Sequence, residues 1–180
     1  MRPFPASLHR DGARHGLEVW SVRYHVRGWN GEQASPLADV MSALDEVRRR
    51  HGDIPVVLVG HSMGGRVAMR LAGEASVVAA VGLAPWLPEG EPVEQLAGRR
   101  VLLVHGERDG VTSPRATKRF AERAARVASH VDLVIVRGER HAMVLRSRMW
   151  HRLATAFTLD SLGIRAVPVG VSTVFERGVV

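Results

Sequence analysis

A serine lies in a sequence pattern that is typical of nucleophilic turns. Residues 60–64 read GHSMG and match G-x-S-x-G, in which a tight strand-to-helix turn exposes a serine hydroxyl. We expect side chains two positions before and two positions after the serine to collide with neighbouring backbone, which accounts for the two glycines. An unbroken apolar run ends at residue 60 and a helical pattern begins at Met63, as the motif requires. Ser62 is therefore a candidate nucleophile.

Two more polar side chains follow apolar runs further along the chain. Asp109 comes after a run that ends at His105, and His141 comes after a run that ends at Val136. Because the carboxyl ends of parallel strands gather at one edge of an open sheet, we expect Ser62, Asp109 and His141 to meet there. In that arrangement His141 deprotonates Ser62, and Asp109 holds the imidazole in the required tautomer. The order of these residues along the chain indicates a Ser-His-Asp triad.

Each triad candidate also has a structural interpretation. A serine in a glycine-rich turn is usually only part of the turn. Asp109 could be a loop carboxylate paired with Arg108, and Glu107 is a second carboxylate at the same strand end. The joint occurrence of three such residues at three strand ends favours catalysis over these alternatives.

The remaining histidines do not have the spacing of a metal site. The chain has nine histidines, no cysteine and no H-E-x-x-H pattern, so we expect no metal and no cofactor. The lack of cysteine also excludes disulfides and a cysteine nucleophile. We expect His61 and His105 to pack near the candidate triad.

Strands and helices alternate along the chain. Such alternation predicts an α/β fold, with a mostly parallel sheet and helices on both faces. Ser35 and Ser113 each precede a proline, which is typical of an N-cap followed by proline at the first helical position. The predicted strands are 16–24, 55–60, 77–84, 100–105 and 131–136, and the predicted helices are about 6–14, 36–51, 63–74, 114–128 and 144–159.

Length and composition indicate one globular domain. The 180 residues predict a single domain over 1–162, followed by a valine-rich tail over 163–180 with no assignable period. The net charge is +7, but the arginines are spread along the chain and the triplet at 48–50 lies at a helix end, where positive charge is favourable. We therefore expect no specific nucleic-acid partner.

Neither a membrane span nor a secretion signal is visible in the sequence. The longest apolar stretch, 77–87, is interrupted by Gly82 and Pro85 and is too short to cross a bilayer. The first residues lack the apolar core of a signal peptide. These features predict a cytoplasmic protein that does not associate with membranes.

The motifs together resemble those of the α/β-hydrolase superfamily, particularly small bacterial hydrolases. Residues 60–65 read GHSMGG, as in the nucleophile elbow of that family. The HG…D loop at 105–109 and the GERH segment at 138–141 also match. Residues 24–31, YHVRGWNG, look like the stretch after the family's fourth strand, and the similarity covers about residues 4–160.

This resemblance implies a role for each matching residue. Ser62 would be the nucleophile, Asp109 the acid and His141 the base, and the Met63 backbone N–H would be one oxyanion donor. The implied activity is hydrolysis of an ester or related acyl bond of a small molecule, through an acyl-serine intermediate. Two alternatives stay open: an acyltransferase that uses the same triad, and a truncated, non-catalytic remnant or ligand-binding module.

The front of the chain departs from the family pattern. If residues 17–24 are the fourth strand, the first three strands have no counterpart, and neither has the loop that supplies the family's second oxyanion donor. We therefore expect an N-terminally shortened hydrolase, such as a start codon assigned too late would produce. Residues 17–24 must then re-pair with 55–60 or leave backbone groups unpaired.

A short connection replaces the lid domain that many relatives insert. Residues 84–99 hold only a proline-rich segment, so we expect an open, lidless cleft that suits small or flexible acyl groups. Trp86 is the candidate substrate-binding residue, and Trp29 and Met143 could line the same cleft. Packing is an equally good explanation for all three side chains.

Overall fold

The computed structural model of the chain describes residues 3–164. The predicted tail over 163–180 therefore lies outside the described residues, apart from its first two positions.

Four parallel strands form the sheet. They are β1 (Val56–His61), β2 (Val77–Leu83), β3 (Arg100–Gly106) and β4 (His130–Val136). Their spatial order is the same as their order along the chain, and each neighbouring pair is parallel. The predicted α/β fold with a parallel sheet is confirmed.

Five α-helices connect and cover the strands. They are α1 (Pro3–Gly12), α2 (Pro36–His51), α3 (Met63–Arg70), α4 (Pro114–Ala124) and α5 (Ser147–Ser161). Short 3-10 turns occupy Ala13–His15, Gly31–Gln33 and Glu94–Leu96. No helix in the described part of the chain has both the length and the apolar character needed to cross a membrane. The predicted helices exist, although α3 and α4 end about one turn earlier than expected.

The helices bury two apolar faces of the sheet. On one face, Trp150 and Phe157 of α5 pack with α1 and with apolar residues of β2, β3 and β4. On the other face, Met69 of α3 and Phe120 of α4 pack against β2 and β3. A third cluster joins α2 to α3. Burial of the sheet on both sides accounts for the unbroken apolar runs that form its strands.

The predicted strand at 16–24 is wrong. Residues 17–24 form no regular element, and no backbone hydrogen bond joins them to β1 among the described residues. Leu17 and Val19 instead pack on the α1–α5 side of the core as irregular chain, with the Leu17 N–H bonded to the Gly12 carbonyl at 3.2 Å. Residues of high β-propensity pack well on a half-buried surface, but their presence does not ensure that a neighbouring strand is available to pair with them. The expected re-pairing with residues 55–60 is wrong as well, and β1 pairs within the sheet only with β2.

The two predicted serine caps behave differently. The Ser113 hydroxyl accepts the Ala116 N–H at 3.2 Å, as an N-cap does, from an extended backbone (φ −92°, ψ 114°). Ser35 has a helical backbone (φ −45°, ψ −35°) and makes no side-chain cap to α2. Its hydroxyl accepts a hydrogen bond from the Asn30 side chain at 3.0 Å instead.

Candidate active site

Ser62 stands alone between the end of β1 and the start of α3. Its backbone has φ 54° and ψ −119°, a conformation that L-residues rarely adopt and that the surrounding structure must hold in place. The Ser62 N–H donates to the Leu83 carbonyl at 2.9 Å, and the Ser62 carbonyl accepts the Trp86 N–H at 3.0 Å. These bonds to the end of β2 and the loop after it fix the hydroxyl above the carboxyl edge of the sheet.

The glycines around Ser62 differ in how much space a Cβ would have. A Cβ on Gly60 would lie 2.0 Å from the Gly64 carbonyl oxygen, so this position excludes every side chain, as predicted. A Cβ on Gly64 would meet nothing closer than the Tyr24 hydroxyl at 3.3 Å, so the collision expected with neighbouring backbone is wrong there. The crowded position on that side is Gly65, whose Cβ would lie 2.8 Å from Pro85.

Asp109 lies in the loop after β3 with its carboxylate fully buried. Oδ1 accepts the backbone N–H groups of Val111 at 2.8 Å and Thr112 at 2.9 Å. Oδ2 accepts the Thr112 hydroxyl at 2.8 Å. These bonds close the loop around its own carboxylate and direct Oδ2 towards the loop after β4.

His141 lies in that second loop and reaches both other candidates. Its Nδ1 lies 2.8 Å from Asp109 Oδ2, and its Nε2 lies 3.0 Å from Ser62 Oγ. The structure thus brings all three side chains into one line of hydrogen bonds. Glu107, the alternative carboxylate, turns away and accepts the Gly138 N–H at 3.0 Å.

Among residues 3–164, the ion-pair contacts of the Asp109 carboxylate are with histidines and not with lysine or arginine. Burial raises its pKa, but the hydrogen bonds from the Thr112 N–H, His141, the Val111 N–H and the Thr112 hydroxyl outweigh burial and lower the pKa to about 2. A carboxylate that accepts this many hydrogen bonds stays ionised at neutral pH. It is therefore able to hold a histidine with Nδ1 protonated and Nε2 free to accept.

His61 lies beside the three candidates. Burial lowers its pKa, which favours the neutral ring. Its Nε2 donates to the carbonyl oxygen of His141 at 2.9 Å, and the two rings lie 4.8 Å apart. His61 therefore supports the backbone of the residue whose ring faces Ser62.

The loop that carries His141 is clamped at both ends by a residue that the sequence analysis did not single out. The buried Glu139 carboxylate accepts the Arg140 N–H at 3.0 Å and the Arg146 N–H at 2.8 Å. The neighbouring loop approaches closely, because a Cβ on Gly106 would lie 2.5 Å from the Glu139 carbonyl oxygen. Gly106, the last residue of β3, was the available signal for this approach, and Glu139 lies in the GERH segment at 138–141, which the sequence analysis matched without giving Glu139 a role.

Trp86 is joined to Ser62 by a backbone hydrogen bond, and the residue is 38% exposed. The ring meets Trp29 edge-on at 6.1 Å, and the Arg66 guanidinium lies 3.8 Å from the Trp29 ring and 4.6 Å from the Trp86 ring. Met143 packs instead against the core under α5. The two tryptophans and Arg66 thus pack against one another beside the turn that carries Ser62.

A cavity of about 530 Å³ lies behind the Asp109 loop. Its lining includes Val111, Lys118 and Ile135, but neither Ser62 nor His141. Of the three candidates, Asp109 alone lines this cavity.

The chain belongs to the alpha/beta hydrolases. The alpha/beta hydrolase domain family matches residues 30–158, well over half of the chain. Among curated proteins, none matches the sequence significantly.

Solved structures of the same fold include several hydrolases. A candidate alpha/beta hydrolase of unknown function from Agrobacterium tumefaciens is 20% identical with a TM-score of 0.71, over 91% of this chain and 78% of that one. An alpha-beta serine hydrolase homologue from Coxiella burnetii is 19% identical with a TM-score of 0.65, over 83% and 73%. The Bacillus cereus carboxylesterase is 18% identical with a TM-score of 0.60, over 78% and 68%. At these identities the likeness establishes the fold.

Proposed function

We propose that the chain is a serine hydrolase that cleaves an ester or related acyl bond through an acyl-Ser62 intermediate. The observation that carries the proposal is the continuous line of hydrogen bonds from Asp109 through His141 to the Ser62 hydroxyl. Membership of the alpha/beta hydrolases and the likeness to a carboxylesterase support it. We further propose that residues 1–162 act as one domain.

Each proton in this reaction has a definite donor and acceptor. His141 Nε2 takes the proton from Ser62 Oγ as the oxygen attacks the carbonyl carbon, and then gives that proton to the departing alkoxide. Water attacks the acyl-serine with His141 again as base, which releases the acid and restores the serine hydroxyl. Asp109 stays ionised throughout and stabilises the transient imidazolium.

The Met63 N–H is the proposed oxyanion donor. Met63 begins α3, so its N–H has no acceptor within the helix, and no other acceptor contacts it among the described residues. The N–H groups of Gly65 and Arg66 are already bonded to the Ser62 carbonyl. One such donor contributes about 10²–10³ in rate when it meets the developing negative charge.

The surroundings of Ser62 favour a small acyl substrate. Residues 84–99 add only loop and the short turn at Glu94–Leu96, so no lid covers the serine from this segment. Trp86 is the proposed wall of the acyl site, held in place by Arg66 and Trp29. We expect short esters, such as p-nitrophenyl acetate and butyrate, to be better substrates than long-chain esters.

Labelling with a fluorophosphonate, read by intact mass, tests the proposal directly. We expect one adduct on the wild-type chain and none on Ser62→Ala. Ser42→Ala is the matched control, because Ser42 is a helix serine of α2 whose hydroxyl donates to the Ala38 carbonyl. It should label like the wild type. A folded wild-type chain that takes no label, or a Ser62→Ala variant that still does, contradicts the proposed function.

A further inference from the structure

One oxygen of Asp109 faces two imidazoles. Oδ2 lies 2.8 Å from His141 Nδ1 and 3.1 Å from His105 Nε2. The His105 and Asp109 side chains are both fully buried, and His105 belongs to β3 whereas Asp109 lies in the loop that follows. The proposed mechanism uses His141 and leaves His105 without a role.

The contacts of His105 determine which of its nitrogens carries the proton. Burial lowers the pKa of His105, although the Asp109 charge opposes this effect, so the ring is neutral with one N–H. Its Nδ1 lies 2.8 Å from the hydroxyl of Thr117, a fully buried residue of α4. A proton on Nε2 suits both sides of the ring, because Nε2–H then faces two acceptor oxygens, Asp109 Oδ2 at 3.1 Å and the Thr112 hydroxyl at 3.2 Å, and Nδ1 accepts from Thr117.

The opposite tautomer of His105 would place two hydrogen-bond acceptors against each other. With the proton on Nδ1, the Nε2 lone pair would face the ionised Asp109 oxygen at 3.1 Å. Among the described residues, only the Thr112 hydroxyl, 3.2 Å from His105 Nε2, could donate a hydrogen bond to that lone pair. That hydroxyl lies nearer to Asp109 Oδ2, at 2.8 Å, and has only one proton to donate.

We propose that His105 is a positioning residue of the active site: its Nε2–H donates to Asp109 Oδ2 and holds that oxygen against His141 Nδ1. Thr117 then donates its hydroxyl proton to Nδ1 on the other side of the ring. The Asp109 carboxylate then accepts two backbone N–H groups on Oδ1 and three side-chain donors on Oδ2, from Thr112, His105 and His141. The structural part of this proposal is independent of activity, and its kinetic part rests on the proposed hydrolase function.

Removal of the His105 donor changes more than geometry. The carboxylate would carry more negative charge on the oxygen that faces His141, and would bind the protonated form of that histidine more strongly. Within residues 3–164, the ionisable side chains that face His141 are Asp109 and His61, whose ring lies 4.8 Å away, and His105 contacts Asp109 from the other side. We therefore expect the acidic limb of the kcat/KM profile to move to higher pH when the His105 donor is lost.

The tautomer of His105 is measurable without any substrate. In uniformly ¹⁵N-labelled full-length chain, we expect long-range ¹H–¹⁵N correlations to show His105 protonated on Nε2, with Nδ1 as the acceptor nitrogen. Thr117→Val removes the hydroxyl behind the ring and should shift the Nδ1 resonance. A spectrum with the proton on Nδ1 overturns the proposal, whatever the outcome of the labelling with fluorophosphonate.

Two substitutions of His105 distinguish a hydrogen-bond donor to Asp109 from a side chain that only fills space. A glutamine amide nitrogen reaches about as far as imidazole Nε2, whereas an asparagine amide reaches only about as far as Nδ1. We therefore expect His105→Gln to keep most of the activity, and His105→Asn to lose about tenfold in kcat/KM. His105→Asn should also show the displaced acidic limb.

A histidine at the other end of the sheet provides the control. His130 Nε2 lies 2.9 Å from Asp132 Oδ2, so His130→Asn breaks a similar pair far from the candidate triad and should leave the pH profile unchanged. Equal losses in His105→Gln and His105→Asn with an unmoved pH profile would show a purely structural role and overturn the proposal. Thermal unfolding of each variant distinguishes that result from loss of the fold.

Discussion

Asp109 is a buried carboxylate that accepts hydrogen bonds from two backbone N–H groups, a hydroxyl and His141, and His105 Nε2 lies 3.1 Å from its Oδ2. Hydrogen bonds from neutral donors leave the negative charge uncompensated, and that charge is what a histidine needs to become cationic during catalysis. An arginine or lysine in contact with the carboxylate would instead compete with His141 for it. Asp109 is thus buried and ionised, and one of its oxygens is directed towards His141.

The low pKa of Asp109 predicts a contribution to stability that depends on pH. The folded pKa of about 2 lies below the value near 3.9 of an unfolded chain. The ionised form therefore stabilises the fold above about pH 4, and this contribution is lost as the pH falls towards 2. Between pH 4 and 2, the free energy of unfolding of the wild type should fall by about 2 kcal/mol more than that of Asp109→Asn.

Urea unfolding at several pH values measures this difference. Asp45→Asn is the control, because the Asp45 side chain is 67% exposed on α2 and its loss removes a negative charge without touching the site. Parallel stability curves for the wild type and Asp109→Asn would contradict the prediction. In assays with short esters we also expect Asp109→Asn to lose about 10³–10⁴ in kcat, because the amide favours the wrong tautomer of His141.

At the level of the element, the β1–turn–α3 unit requires glycine at residue 60 and again at residue 65, whereas residue 64 has room for a Cβ. Strand and helix approach so closely that the Gly60 Cα lies against the Gly64 carbonyl. The positive φ of Ser62 depends on that approach, since the strand must end and the helix begin within one residue.

A pair of alanine substitutions tests this steric account. Gly60→Ala places a methyl group 2.0 Å from backbone, so we expect a loss of about 3 kcal/mol in unfolding free energy and loss of labelling at Ser62. Gly64→Ala meets only the end of the Tyr24 side chain at 3.3 Å, and should change stability by less than about 1 kcal/mol. Chemical denaturation with parallel labelling measures both, and equal effects of the two substitutions would contradict the account.

At the scale of the whole molecule, Glu91 joins three parts of the fold. Its buried carboxylate accepts Arg66 Nε at 2.8 Å and Arg70 Nε at 2.6 Å, both from α3. Its backbone carbonyl accepts the Arg123 guanidinium of α4 at 2.7 Å. The loop after β2, which carries Trp86, is thereby tied to both helices on one face of the sheet.

The contribution of the Glu91 ion pairs to the free energy of unfolding depends on how far they are buried. Glu91→Gln leaves two guanidinium groups beside a neutral amide in a buried site, so we expect a loss of about 3 kcal/mol in unfolding free energy. Glu46 of α2 bonds to Arg49 and Arg50 in the same way, but those arginines are more than half exposed. Glu46→Gln should therefore have little effect on urea unfolding, and a comparable loss in both variants would contradict this reading.

The predictable part of the fold extends from α2 to α5. Each apolar run and helical period there is a local signal, and the strands need no other information because they pair in chain order. Residues 17–24 carry the same β-type signal but form no strand, since a strand also requires a neighbour with free backbone groups. Ser35 is a second case in which a local signal was not sufficient, because its helical backbone conformation does not let the hydroxyl cap α2.

The sequence by itself determined the order of the elements and the placement of Ser62, Asp109 and His141 beyond three strand ends, because periodicity and glycine spacing are properties of short segments. Only the tertiary structure decided that Asp109 rather than Glu107 faces His141, and that His105 shares its carboxylate. His141 lies 79 residues from Ser62 along the chain, and contacts over such separations depend on how loops pack at one edge of the sheet. That packing is set by the whole core, which no local pattern encodes.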